Sequence, residues 1–343
     1  MGINEGMYEL DGNQTRQLID CQQVYVAARS AEREYADRYK GSMAWKTVGE
    51  NIYLYRKRDG IWKSLGPKSD ETAKIYAQFH AGRDELKAKC KSLQDKLRLM
   101  APVNKAMRIG RVPWMSAKIL RRIESLNVLG NGLMVVGTHA LYAYELLGGV
   151  HFGQDAVATM DIDLLYDARG RLKLFSLELQ KNGLIGVLSG VDSSFEPLRA
   201  DSFRAANKDG FMVDLITPLT RNPSTRSFKS RIGDDMNDLK AVEIEGLKWL
   251  ENCPAITECA IDEKGYPLTI TAPDPRAFVC HKIWLSQRMD RDPKKKRRDL
   301  LQAREITKML NKYLPHLQFD DPSLNALPVD VRNAAMSLAN ELR

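Results

Sequence analysis

Along the 343-residue chain the spacing of apolar positions changes several times, and each change marks an element. Residues 13–38 are rich in Gln, Ala, Arg and Glu and free of Gly and Pro, which predicts a helix. "MAWKTVGENIYLYRKRDGIWKSLG" follows. There Val48 precedes a Gly-Glu-Asn turn, and "NIYLYRKR" and "IWKSLG" flank Asp59-Gly60, a two-residue hairpin signal. After Pro67, with Ser69 as cap, a long helix is predicted toward Met100. Its Leu86, Cys90, Leu93, Leu97 and Met100 lie four and three apart and make one apolar seam. Such a seam packs on another helix of the same chain more often than on a second copy.

The middle of the chain patterns differently. "SAKILRRIESL" is an amphipathic helix leading through Gly130-Asn131-Gly132 into "LMVVG", a short buried strand ending at Gly137. "THALYAYELLGG" returns to helical spacing, "TMDIDLLYD" gives a second strand, and residues 170–182 another helix. "DSFRAANKDGFMVDLITP" reads as a hairpin turning at Asp209-Gly210, with Asp214 in its apolar second arm. Downstream, "ITECAIDEKGYPLTITAPDPRAF" predicts a hairpin about Lys264-Gly265, and "RAFVCHKIWLSQRM" a helix. The basic run 294–298 opens one more helix, ending in "DLLQAREITKML". The whole reads as α+β in three parts. Residues 1–110 form a helical and hairpin accessory module, 111–220 a small mixed sheet with flanking helices, and 221–343 a hairpin and helical region.

Composition adds limits. With 43% hydrophobic and 28% charged residues the chain is ordinary for a globular protein, and no apolar stretch has membrane-spanning length. The N-terminus lacks the basic-then-apolar order of a signal peptide, so a cytoplasmic protein is expected. Five scattered cysteines without a CxxC argue for reduced thiols and against a zinc site. The net charge of +8 favours a polyanionic partner such as a nucleotide or RNA. Around the first hairpin, Trp45, Tyr53, Tyr55, Arg56, Lys57, Arg58, Trp62 and Lys63 suit stacking on bases and contact with phosphates. They equally suit packing of an aromatic face on helices, the commoner role.

The candidate chemistry lies in "TMDIDLLYD". Side chains two apart on a strand share a face, so Asp161 and Asp163 converge while Ile162 turns to the core. Converging carboxylates repel and are costly to desolvate unless a proton or cation lies between them. Oxygen ligands of this kind suit Mg2+ or Mn2+ arriving with substrate phosphates. Asp214 recurs in a similar apolar setting, and if its strand lies beside the first, three carboxylates share one patch, enough for two metals.

"VVGTHALYAYE", "TMDIDLLYD" and "FMVDLI", in that order, resemble the nucleotidyltransferase superfamily of the DNA polymerase beta type. More narrowly, the chain looks like a bacterial family of nucleotidyltransferase-fold proteins that also carries "YLYRKRDGIWKSLG", "APDPRAF" and "HKIWLSQRMDRDPKKKRRDLLQA"; the likeness covers about residues 44–306. The resemblance implies a polymerase-beta-like core that moves a nucleoside monophosphate from an NTP to an acceptor hydroxyl, RNA or the end of a tRNA among the acceptors. It implies Asp161 and Asp163 as metal ligands, and Asp214 as ligand of the catalytic metal and aid to deprotonation. Gly137 and Thr138 would form the phosphate-receiving turn at a helix start. Lys282 would meet the triphosphate tail, with the basic run and Asp299 shaping the same wall. The alternatives are a fold that binds nucleic acid or a partner without turnover, and the toxin half of a defence pair. One departure stands out: where the superfamily places small residues after the glycine, this chain has His139, which reads as a packed or capping residue rather than a base.

Overall fold

The structure, a computed structural model, describes residues 6–167, 176–219 and 230–343. Helices and strands alternate irregularly, an α+β arrangement, and the chain divides into two units. The smaller comprises Arg16–Ile109 with Gly265–Pro267; the larger comprises Met1–Thr15, Gly110–Lys264 and Leu268–Arg343.

The chain enters through a two-residue strand, β1 (Tyr8–Glu9), and helix α1 (Gly12–Tyr39). Then β2 (Ser42–Val48), β3 (Asn51–Arg58) and β4 (Ile61–Pro67) form an antiparallel sheet. The β3–β4 turn has Asp59 at φ 50° and Gly60 at φ 84°, the left-handed pair that lets a tight turn follow the strand twist. Helix α2 (Asp70–Ala106) starts in a capping box: the Ser69 hydroxyl accepts from the Thr72 N–H, and the Thr72 hydroxyl accepts from the Ser69 N–H at 2.9 Å. It runs beyond the expected end at Met100 and through Pro102. Near a C-terminus the missing N–H and ring clash of proline disturb only one turn. The buried Asn104 ties that turn down, donating to the Gly265 carbonyl at 2.8 Å.

The predicted seam meets a helix of the same chain: Leu86, Cys90 and Leu93 pack with Ala31, Tyr35 and Tyr39 of α1 and with Phe79. One face of the sheet is also covered. Met43 and Leu54 are buried, Trp45 lies 5.7 Å from Tyr76 between ring centroids, and the Arg56 guanidinium sits 4.4 Å over Phe79.

In the larger unit, α3 (Trp114–Ser125) precedes β5 (Leu133–Val136), a 3-10 turn (Gly137–Ala140) and α4 (Leu141–Gly148). Next come β6 (Val150–His151), α5 (Gln154–Val157), β7 (Asp161–Tyr166), α6 (Leu177–Val191), β8 (Glu196–Pro197), β9 (Arg204–Ala206) and β10 (Met212–Pro218). The chain closes with β11 (Val242–Ile244), α7 (Leu247–Asn252), the paired β12 (Ala255–Ile261) and β13 (Pro267–Pro273), α8 (Pro275–Gln287), α9 (Pro293–Tyr313) and α10 (Val329–Glu341). Among the described residues six strands make one mixed sheet in the order β5-β7-β10-β9-β8, with β11 beside β10. The β7–β10 and β10–β11 pairs are parallel; β5–β7, β9–β10 and β8–β9 are antiparallel.

Ile162, Leu164, Val213 and Leu215 from the central strands share one core with Ile119 and Ile123 of α3, Leu141 of α4 and Phe278 of α8. The first part of the helix expected over residues 170–182, residues 170–175, lies outside the described residues. The described helix α6 starts after Ser176, whose hydroxyl accepts from Leu179 N–H, and passes Asn182 to Val191. Its backbone leaves helical geometry at Gly183 (φ 63°, ψ −171°), where the sequence pattern stopped. The buried Leu184, Val187 and Leu188 then restart it against the core. Among the described residues no helix is long and apolar enough to cross a membrane.

Candidate functional site

Strand alternation puts Asp161 and Asp163 on one face of β7, with the fully buried Ile162 on the other. The parallel register sets Asp214 of β10 directly beside Asp163, and Met212 beside Asp161. On the other side, antiparallel β5 sets Val136 against Asp163, and the chain then leaves the strand at Gly137. Asp163 is therefore flanked by a second carboxylate and by a turn. Gly137 has φ 64°, and a Cβ there would stand 2.1 Å from Asp163 Oδ2. Only glycine permits both the dihedral and the approach.

The Asp163 carboxyl is pushed up to about 7, first by burial, then by the negative charges of Asp161 and Asp214; Lys282 and Arg204 pull the other way. Three acids thus share a field that two cations only partly offset. Asp214 is occupied. Arg204, its cross-strand partner on β9, donates from Nε to Oδ1 at 2.6 Å and from Nη2 to Oδ2 at 2.5 Å. Asp161 Oδ1 accepts from the Thr159 hydroxyl. Among the described residues no three Asp, Glu, His or Cys side chains are arranged as ligands of one metal ion. The donor set itself is all carboxylate oxygen, which suits a hard divalent cation at Asp161 and Asp163; Asp214 can join only when Arg204 releases it.

The remaining expected residues are held more tightly than the sequence suggested. Lys282 is buried and donates to Asp299 Oδ1 at 2.7 Å, while Arg291 Nε donates to Asp299 Oδ2 at 2.9 Å. Burial lowers the lysine's pKa, and Asp299 and, more weakly, Asp163 oppose that shift. Lys282 is thus an ion-paired interior group lying in the field of Asp163. The buried Thr138 accepts from Gln302 Nε2 at 3.2 Å, and the same nitrogen donates to the Ala156 carbonyl at 2.8 Å. The turn carrying Gly137 and Thr138 is one round of 3-10 helix leading into α4, where the sequence implied a direct α-helical start. His139 is buried, with Nε2 2.6 Å from the Ser116 hydroxyl, and burial lowers its pKa to about 4. It is a packed, neutral imidazole.

Two residues escaped the sequence reading. Arg204 left a trace: counting back from the Asp209-Gly210 turn brings it within one residue of the position opposite Asp214. Gln302 left none, because its contact with Thr138 joins positions 164 residues apart.

Residues 115–328 match a family described as nucleotidyltransferase, more than half the chain, and the protein belongs to that family. The family's chemistry is nucleotidyl transfer, with a nucleotide as substrate. Among solved structures, the chain is similar to an antigenic nucleotidyltransferase-like protein from Paracoccidioides brasiliensis at 15% identity, covering 68% of this chain and 90% of that one. The TM-score is 0.32, and that likeness adds nothing to the argument. No curated protein matches the chain in sequence.

Proposed function

We propose that the larger unit is a polymerase-beta-like core that transfers a nucleoside monophosphate from an NTP to an acceptor hydroxyl with the help of Mg2+ or Mn2+. One observation carries this reading: Asp163 stands between Asp214 in register and a glycine turn that only glycine can make. Asp161 and Asp163 would hold the divalent ion, which when bound supplies charge neutralisation on the phosphates. Asp214 would take the proton of the acceptor hydroxyl as its oxygen attacks the alpha phosphorus. The bond to the bridging oxygen then breaks, and pyrophosphate leaves. Arg204, once released, presents a fork that matches phosphate oxygens. Lys282 would act through the field it casts on Asp163 and the triphosphate, since its amine is tied to Asp299. RNA, the end of a tRNA included, suits the net charge of +8 as acceptor.

The test is purified protein with alpha-labelled NTPs, divalent metal and bulk RNA, read on a gel. Asp163→Asn is expected to cut labelling at least about a hundredfold with an unchanged circular dichroism spectrum. Undiminished labelling by that variant would remove the site from the reaction.

A second reading, a nucleotidyltransferase fold that binds without turnover, is favoured by the Arg204 fork closed on Asp214. Melting curves with Mg2+ or Mn2+ and each NTP separate the two. A stabilisation by metal plus NTP that vanishes in Asp161→Asn, together with labelling, marks the enzyme. The same stabilisation without labelling marks the binder.

A further inference from the structure

The three-stranded sheet of the smaller unit has one covered face and one open face. Strand alternation and the registers Lys46↔Tyr53, Ala44↔Tyr55, Tyr55↔Ser64 and Lys57↔Trp62 place Lys46, Tyr53, Tyr55, Lys57 and Trp62 on the open one. Their contacts agree. The Lys46 ammonium lies 3.4 Å from the Trp62 ring centroid and 5.4 Å from that of Tyr55. Lys57 lies 5.5 Å from Trp62, and Tyr55 meets Trp62 edge to face at 6.5 Å. Trp62 is 37% exposed, and the other four are half-buried.

No carboxylate belongs to this face. Glu50 and Asp59 stand in the turns at the two ends of β3, and Asp59 is held by Lys40 at 2.6 Å. The charge of the surrounding unit points the same way. Residues 16–109 contain twenty Lys and Arg against eleven Asp and Glu, whereas the rest of the chain has thirty-two against thirty-three. The chain's positive excess therefore belongs to this unit.

We propose that the open face binds single-stranded nucleic acid, with unpaired bases stacking on Tyr53, Tyr55 and Trp62 and phosphates meeting Lys46 and Lys57. A ring stacks on any base, and the interleaved ammoniums follow the backbone between bases. The occupant is single-stranded because a duplex has already spent its base faces on stacking and pairing. A protein partner fits less well: the exposed Val48 on the open face stands at the end of β2, Ile61 pairs with Arg58 and alternates to the opposite face, and Leu65 lies at the bulge. The open face thus lacks the aliphatic centre on which protein interfaces pack. The inference does not rest on transfer chemistry.

Fluorescence anisotropy on the full chain tests it, with a short labelled single-stranded RNA and the same RNA annealed to its complement. The single strand should bind more tightly than the duplex. The double substitution Tyr55→Ala with Trp62→Ala should weaken it at least about tenfold. Lys46→Gln with Lys57→Gln should flatten the slope of log K against log salt by about 1.4. The titration contains chelator and no NTP, so that transfer cannot proceed, which separates this result from the fate of the transfer reading. Photocrosslinking of thiouridine-bearing RNA to the unsubstituted protein needs no variant and should label peptides within 42–67. Adducts confined to other segments, or equal affinities in both sheet variants, would overturn the proposal. A double aromatic variant that changes self-association and not RNA affinity would also overturn it, making the face a protein interface.

Discussion

In the larger unit the informative charges are inside. Asp214 is gripped by Arg204, Lys282 by Asp299, and Glu145, whose carboxyl burial raises to about 8, accepts from Arg111 at 2.7 Å. In the smaller unit a positive excess lies on helices and a sheet whose aromatic residues divide between a covered and an open face. The difference follows from the cores. The larger unit wraps one extended core that can exclude water from ionic groups, and Asp214, Lys282 and Glu145 each carry a partner there, as the cost of desolvation demands. The smaller unit packs α1 on α2, and the buried side chains of residues 16–109 are apolar or uncharged, with Thr72 and Asn104 as the polar ones. Buried charge tunes chemistry; surface charge attracts partners.

The largest effect should come where the smaller unit is thinnest. Leu54 is its sheet's fully buried anchor, and Leu54→Ala should cost about 2–5 kcal/mol in urea unfolding. A loss below about 1 kcal/mol would mean that the sheet is not held by its covered face. Gly137→Ala tests the larger unit's tightest point. Strain at φ 64° and the overlap with Asp163 should cost about 1–3 kcal/mol and displace the carboxylate, read by unfolding and by loss of metal-dependent stabilisation.

Acid should separate the units further. Burial lowers His139 and His151 to about 4 and His281 to about 3, all in the larger unit. The unfolded chain takes up these protons near 6.5 and the folded chain does not, so the stability present above that pH is lost as pH falls toward 4. Asp163 acts in the opposite sense. Raised to about 7, it keeps a proton that the unfolded chain has already released, and so favours the fold as pH drops through 7. In chelator-containing buffer, Asp163→Asn should therefore melt higher than the unsubstituted protein at pH 8, and its melting temperature should fall more steeply toward pH 5. The smallest effect is Ser69→Ala, which removes the capping hydroxyl of α2 and should cost about 1 kcal/mol in the smaller unit.

Most elements were legible because their causes are local. The seam of α2, the Asp59-Gly60 turn and the Ser69 cap are decided by side chains a few residues apart, and so is the shared face of Asp161 and Asp163. The helix that restarts after Gly183 and the one that runs through Pro102 were not legible, since tertiary burial overrode two local stop signals. The candidate site was legible by halves. Sequence supplied three acids and a glycine turn; it left open whether β10 would lie beside β7, a matter of which strands become neighbours across intervening chain.

What the residues determined unaided is periodicity, turn chemistry, the acidic pair and the uneven distribution of positive charge. What only the tertiary structure decided is pairing: Asp214 beside Asp163, Arg204 across Asp214, Lys282 on Asp299, and which rings of the small sheet face outward. The physical reason is that dihedral preferences and side-chain spacing act over a few residues. The partner of a buried charge is chosen instead by long-range packing, once water has been excluded around it.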